Sequence, residues 1–147
     1  MLNYDEKISV LDNIAFTVIA KSGIHGRGLF STTTIPKNTI LGILDGQVVN
    51  WDRYDQVLAQ LRKEIENIEE NLLMEWNALD EETLLVRPLR TKYSYINHSR
   101  TPNLIIMKNP LRIVARDDIK ENEELFLDYR EEPLRRAYLD GHGQTYL

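Results

Sequence analysis

A chain of 147 residues, 42% hydrophobic and 28% charged, has the size and make-up of one globular domain able to bury its own core. It contains no cysteine, which excludes disulfides and thiolate-held zinc, and its formal net charge of −5 argues against general nucleic-acid binding, which needs a basic footprint. No apolar run approaches a membrane span and no secretory signal opens the chain, so a cytoplasmic protein is expected, small enough to diffuse into a nucleus.

Ile14 to Ala20, rich in β-branched and aromatic residues, predicts a first strand. Three glycines then fall within Gly23 to Gly28, ahead of Leu29-Phe30. Glycine there permits positive φ or a close backbone approach to another group. The spacing is not GxGxxG and no helical pattern follows, so a tight loop between two strands competes with a ligand loop. Ile35-Pro36-Lys37-Asn38 reads as a turn and Thr39 to Leu44 as a strand. Asp45-Gly46 reads as a hairpin turn from which Gln47 to Asn50 returns.

Tyr54, Leu58, Leu61, Ile65, Ile68 and Leu72 recur at spacings of three and four. They predict an amphipathic helix of about five turns, capped by Asn50 or Asp52. Glu64 to Glu82 holds eight carboxylates and no lysine or arginine, a solvated face or a field for a cationic partner. Leu72 to Leu79 and Thr83 to Val86 flank Asp80-Glu81-Glu82 and are set to pair as a hairpin.

Tyr93 to Asn103 is dense in polar side chains between apolar segments: two tyrosines, Asn97-His98-Ser99 and Pro102-Asn103. Each buried amide or imidazole there needs a partner, so the stretch is a well-paired corner or a binding site. Leu104 to Met107 and Leu111 to Ala115 flank a Lys108-Asn109-Pro110 turn. Ile119 to Glu124 is a charged turn, and Leu125-Phe126-Leu127 a short buried strand ending at Asp128-Tyr129. Pro133 to Leu139 can make two turns of helix, closed by Gly141-His142-Gly143.

No metal site is expected, since His25, His98 and His142 are far apart and none sits in a ligand-spaced pattern. Ser99 beside His98 lacks the G-x-S-x-G elbow of a hydrolase nucleophile.

Three polar elements separated by strands are distinctive together. They are His25-Gly26-Arg27-Gly28-Leu29-Phe30, Tyr95-Ile96-Asn97-His98-Ser99 followed by Pro102-Asn103, and Glu124-Leu125 through Asp128-Tyr129. In this order the chain resembles the SET-domain family of protein-lysine methyltransferases, over about residues 14 to 130. Arg116-Asp117-Asp118-Ile119-Lys120 is similar to the family's lead into its last motif.

The resemblance implies a mainly β (α+β) fold, a SET-domain-like β-clip of small sheets. It implies a C-terminal pseudoknot where Asn97–Asn103 meets Asp128-Tyr129, and one inserted amphipathic helix. One domain over 1–147 is expected, with a core of about 14–130, a helical and acidic insert at 51–82 and a tail at 131–147 closing the cofactor pocket. The implied reaction is in-line transfer of the methyl group of S-adenosyl-L-methionine to a lysine amine of a protein or peptide, with basic substrates favoured. A sulfonium methyl is already electrophilic, so the protein must supply a neutral amine, alignment and exclusion of water.

By the same resemblance, His25, Gly26, Arg27 and Gly28 line the cofactor pocket. Asn97 and His98 hydrogen-bond the cofactor, His98 chiefly through its backbone, and Tyr95 packs beside them. Beyond the matched motifs, a tail that closes the pocket without zinc would offer Tyr138 or Tyr146 to stack on adenine. Tyr129 is the catalytic tyrosine. Leu44, Ile106 and Glu131 stand at substrate-channel positions where the family often carries aromatic residues. The alternatives are a catalytically silent SET-like binding module, or an interaction protein whose 54–72 helix pairs with a second copy as a homodimer. Neither nucleic acid nor membrane is an expected partner.

Overall fold

The computed structural model describes residues 10–68 and 74–133, with Asp140 and Leu147. Leu72 and the tail residues Leu134–Leu139, with the Gly141-His142-Gly143 end, lie outside them. In chain order the elements are β1 (Thr17–Lys21), β2 (Arg27–Ser31), β3 (Ile40–Ile43), β4 (Gln47–Asn50), α1 (Trp51–Glu64), β5 (Glu75–Ala78), β6 (Thr83–Arg87), a 3-10 turn (Lys92–Tyr95), β7 (Asn97–His98), β8 (Leu104–Met107), β9 (Arg112–Ala115), β10 (Phe126–Leu127) and a second 3-10 turn (Tyr129–Glu131). The result is a mainly β fold of small sheets with one helix of any length among the described residues. The chain divides into two compact units, Met1–Leu44 with Thr91–Tyr129, and Asp45–Arg90 with Arg130–Leu147.

In the first unit β1 and β2 pair antiparallel from Thr17↔Ser31 to Lys21↔Arg27, so the glycine-rich stretch is the hairpin loop between them. Ser22 N–H closes that loop on the Gly26 carbonyl at 2.9 Å. β1 starts later than the composition suggests. Phe16 has φ 62, and Ile14–Thr17 makes a turn in which the Thr17 hydroxyl donates to the Ile14 carbonyl at 2.6 Å. β3, β9 and β8 form an antiparallel sheet in that order, and β7 lies parallel to β10. Ile14, Leu29, Ile35, Ile96, Leu104, Ile113, Ile119 and Leu125 are all buried, so each segment of this unit contributes to a common apolar interior.

The second unit holds the β4–β6–β5 sheet and α1. The hairpin expected at Asp45-Gly46 does not form, because β4 pairs with β6 and β3 with β9. Asp45-Gly46 instead carries the chain from one sheet to another. Gly46 sits at φ +148 with its Cα against β6, where a Cβ would come within 2.5 Å of the Val86 carbonyl. The Asp-Gly signal was genuine for glycine and wrong for the turn, since backbone crowding demands the same residue.

Asn50 is the helix cap, its side chain accepting from Asp52 N–H at 2.9 Å and Arg53 N–H at 3.2 Å. The helix ends at Glu64 after about four turns, shorter than the apolar stripe implied. Ile65 is extended and Asn67 has φ 56, while Ile68 is buried beyond the helix end. Trp51, Ala78 and Leu84 form the core of this unit, with Val49, Tyr54, Trp76 and Val86 packed against them. The Trp51 and Trp76 rings meet edge to face at 5.4 Å. Trp51 and Tyr54, in the first turn of the helix, thus pack on the sheet of their own unit, while Leu58 and Leu61 are half-buried and Ile65 is exposed. No helix among the described residues is long and apolar enough to cross a membrane.

Burial raises the Tyr54 phenol above its ordinary value of 10.0, with Asp55 adding to the effect and Arg62 opposing it. A phenol that ionises less readily folded than unfolded gives stability that is complete below the unfolded value and lost as pH rises through the folded one. Urea midpoints of the wild type should therefore fall more steeply above about pH 10 than those of Tyr54→Phe. Parallel pH profiles would exclude Tyr54 as the source.

Candidate functional site

The glycine loop, the Tyr93–Asn103 stretch and the segment 122–129 all belong to the first unit, and hydrogen bonds join them. Residues 122–125 run along β2: Asn122 N–H donates to the Ser31 carbonyl, Ser31 N–H to Glu123, and Leu125 N–H to Leu29, at 2.8–2.9 Å. On the other side the same segment meets β7. Ser99 N–H donates to the Leu127 carbonyl at 3.0 Å, next to the Asn97–Phe126 and His98–Leu127 partners of the parallel ladder. The C-terminal segment is thus held between a hairpin from the start of the chain and a loop from its middle.

Asn103 fastens the insertion. Its amide donates to the Glu124 carbonyl at 2.8 Å and its side-chain oxygen accepts from Phe126 N–H at 2.8 Å. One side chain satisfies two backbone groups that the short ladder leaves over. Asn97 does the same for the glycine loop. Its Nδ2 faces three acceptors, the His25 carbonyl at 3.2 Å, the Arg27 carbonyl at 3.1 Å and Glu124 Oε1 at 3.0 Å. Three acceptors fix the amide's orientation, engage both its hydrogens inside the protein and leave Oδ1 as its remaining polar atom.

Glu124 is the hub. Its second oxygen, Oε2, accepts from the Ser22 hydroxyl at 3.0 Å, and Ser22 Oγ accepts in turn from Ile24 N–H at 3.0 Å and His25 N–H at 3.3 Å. Gly28 makes room for this carboxylate: a Cβ there would stand 2.0 Å from Glu124 Oε1. Gly26, at φ +49, has nothing within 4 Å of its own Cβ position, so loop backbone is uncovered there.

His98 and Tyr129 are neighbours, with ring centroids 5.2 Å apart. His98 Nδ1 accepts from Tyr129 N–H at 3.0 Å, which puts the proton of a neutral ring on Nε2. The Asp128 carboxylate lies 3.8 Å from the same nitrogen, beyond hydrogen-bond reach. The Tyr129 hydroxyl donates to the Ile96 carbonyl, pinning the phenol beside the Asn97-His98 pair. In the ladder Leu127 bonds to the residue after His98, so by strand alternation His98's own N–H and C=O face away from β10.

The expected site residues divide as follows. His25, Gly26, Arg27, Gly28, Asn97, His98 and Tyr129 come together in the first unit. Tyr95 is half-buried at the end of the 3-10 turn that Thr91 caps. Leu44 is buried, its N–H on the Leu111 carbonyl at 2.8 Å, and Ile106 is half-buried opposite Ile113. Glu131 is exposed at the end of the second 3-10 turn. Tyr138 and Tyr146 lie outside the described residues. Sequence reasoning missed Ser22, Asn103 and Glu124 as members of the network. A readable signal for Glu124 was a carboxylate set immediately before the buried Leu125-Phe126-Leu127 run.

Residues 26–130 match the SET domain family. The histone-lysine N-methyltransferase MEDEA of Arabidopsis thaliana is 34% identical over 119 residues, covering 76% of this chain and 16% of MEDEA. The chain therefore spans about a sixth of that relative's length. Among solved structures, the crystal structure of CpSET8 from Cryptosporidium superposes with a TM-score of 0.55 at 24% identity, over 79% of this chain and 58% of that one, a likeness of fold.

Proposed function

The chain belongs to the SET-domain family, and we propose that it is an S-adenosyl-L-methionine-dependent protein-lysine methyltransferase acting on basic, lysine-bearing protein segments. The observation that carries the reading is the hydrogen-bonded network joining the glycine loop, Asn97 and Glu124, with the Tyr129–Ile96 contact made at the residue before Asn97. When bound, the cofactor supplies an electrophilic sulfonium methyl.

The residues fit such a group. Loop backbone at Gly26 is open to a ligand, Asn97 keeps an acceptor oxygen for an ammonium, and the outward-facing backbone of His98 suits the donor and acceptor edge of adenine. Tyr129 has one task in this reading. With its proton committed to the Ile96 carbonyl, its oxygen presents lone pairs to positive charge at the transfer centre, a fixed dipole that needs no rearrangement during reaction. Displacement of water around the acceptor favours the neutral lysine amine that attack requires. Leu44 and Ile106 are proposed to shape the acceptor side without the aromatic walls common in the family.

Labelled S-adenosylmethionine should transfer its methyl to lysine-rich protein, and Tyr129→Phe should lower turnover by about 100-fold. Calorimetric affinity for S-adenosylhomocysteine should stay unchanged in that variant. Full activity of Tyr129→Phe would remove the tyrosine from the mechanism. Cofactor binding by the wild type with no methyl acceptor found would make the chain a silent binding module.

A further inference from the structure

The β3–β9–β8 sheet turns Leu41, Leu104, Ile113 and Ala115 inward, where all are buried. A sheet with one face in the core ordinarily shows polar side chains on the other. Here Ile40, Val114 and Ile105 form one cross-strand row of the outer face, and Ile43, Arg112 and Met107 the next. Ile40, Ile43 and Met107 are 56%, 57% and 41% exposed.

Ile40 and Ile43, three residues apart, would point to opposite faces of a regular strand. The register shift between Ile40 and Gly42 adds one residue, so Leu41 and Gly42 both turn inward and both isoleucines face out. A hollow of about 460 Å³ opens on this face, floored by Ile40, Ile105, Met107 and Val114. Its size is in the range of sites that take a ligand or a peptide's side chains.

The rim is cationic, formed by Lys37, Arg112 and Arg116. Thr91 to Arg116, all in this unit, contains five lysines and arginines and no aspartate or glutamate, in a chain of net charge −5. The Arg112 guanidinium is held by the Lys108 and Pro110 carbonyls at 2.8 and 3.0 Å, which fixes its place without neutralising it. Asp118, the carboxylate beside Lys37, accepts that residue's backbone N–H at 2.8 Å.

We propose that this face docks an acidic peptide segment of a partner protein, with a large apolar side chain of that segment seated in the hollow and its carboxylates on Lys37, Arg112 and Arg116. The apolar floor and cationic rim together select an anionic segment with a hydrophobic anchor. Single-stranded nucleic acid fits poorly, since the floor offers no aromatic ring on which a base could stack. None of the floor or rim residues is one of the side chains of the Asn97–Glu124–Ser22 network, and the proposal does not depend on that network's function.

The test uses a fluorescein-labelled probe peptide of glutamates with two central phenylalanines, followed by anisotropy. Controls replace the glutamates by lysines or the phenylalanines by serines. The wild type should prefer the probe over both controls by at least about tenfold, weakening with salt. The double variant Lys37→Glu, Ile40→Ser alters two exposed side chains, so it should keep the wild-type melting temperature and lose at least about tenfold in affinity. Methyl NMR should place the probe-induced shifts at Ile40, Ile105, Met107 and Val114. Equal binding of probe and controls, or an unaffected double variant, would overturn the proposal. So would a wild-type dimer by light scattering that the double variant abolishes, which would make a second copy the occupant. Binding to phosphatidylserine vesicles without binding of the probe would assign the face to a membrane surface instead.

Discussion

Replacing Glu75 by alanine should cost about 3–5 kcal/mol of stability, because it removes the cross-strand carboxylate of a buried ion pair. Glu75 and Arg87 are cross-strand partners on β5 and β6 and are 5% and 4% exposed. Arg87 Nε donates to Glu75 Oε2 at 2.7 Å, one terminal nitrogen to Asn77 Oδ1 at 2.7 Å and the other to the Asp45 carbonyl at 3.1 Å. Three directed bonds compensate for taking the charge out of water; removing Glu75 keeps the desolvation and loses the main compensation.

For a chain of this size the loss corresponds to a fall in melting temperature of roughly 10–15 °C. A thermal melt of Glu75→Ala beside the double variant Glu75→Leu, Arg87→Met separates the causes. The double variant should recover most of the loss, since an apolar pair of similar volume carries no desolvation penalty. A single variant within about 2 °C of wild type would show that Arg87 finds other partners at little cost.

The second large effect is expected at Gly28. An alanine methyl there must displace Glu124, because Oε1 would lie 2.0 Å and Cδ 2.9 Å from it. Glu124 cannot swing aside freely, since Asn97 holds one oxygen and Ser22 the other. Gly28→Ala should therefore lower stability by about 1–3 kcal/mol and weaken S-adenosylhomocysteine binding by about 100-fold, as the loop carbonyls of His25 and Arg27 lose their tie to Asn97. Glu124→Ser in the Gly28→Ala background gives the methyl space. Stability should then partly return while cofactor affinity stays low, a coupling that a double-mutant cycle reads directly. Wild-type affinity in Gly28→Ala would show that the loop holds its shape without the Glu124 network.

The elements best legible in the sequence were those governed by local chemistry. Asn50 capped the helix, the Lys108-Asn109-Pro110 turn joined β8 to β9, and Asp80-Glu81-Glu82 joined β5 to β6. Where distant backbone decided the outcome, local signals misled. Asp45-Gly46 carries hairpin residues, yet Gly46 answers to Val86 forty residues on. The apolar stripe of the helix continues through Ile65 and Ile68, but the chain has already left the helix to bury Ile68.

The candidate site followed the same division. Asn97, His98 and Tyr129 could be singled out because three motifs in order resemble one family. Ser22, Asn103 and Glu124 were not named as site residues, although Asn103 and Glu124 stand in those motifs, because their roles consist of bonds to side-chain and backbone groups from 21 to over 100 residues away. Of the three, only Glu124 carries a local signal, its place before the buried Leu125-Phe126-Leu127 run, and that signal does not name its partners.

The insertion of residues 122–125 beside β2 also bears on how the chain folds. Ser31 and Glu123 are 92 residues apart in sequence, and β7 obtains its parallel partner only from β10. On a ribosome, the open edge of β2 and both residues of β7 must wait for almost the entire unit to be synthesised. Closing so long a loop is slow, and its entropic cost falls due before the contacts form. The Gly28–Asn97–Glu124 network should thus be among the last parts to assemble and, with local opening at 122–129, among the first to dissolve. Hydrogen exchange at the Leu125, Phe126 and Ser99 amides would report that opening, and a ligand held by the network would slow it in proportion to its occupancy.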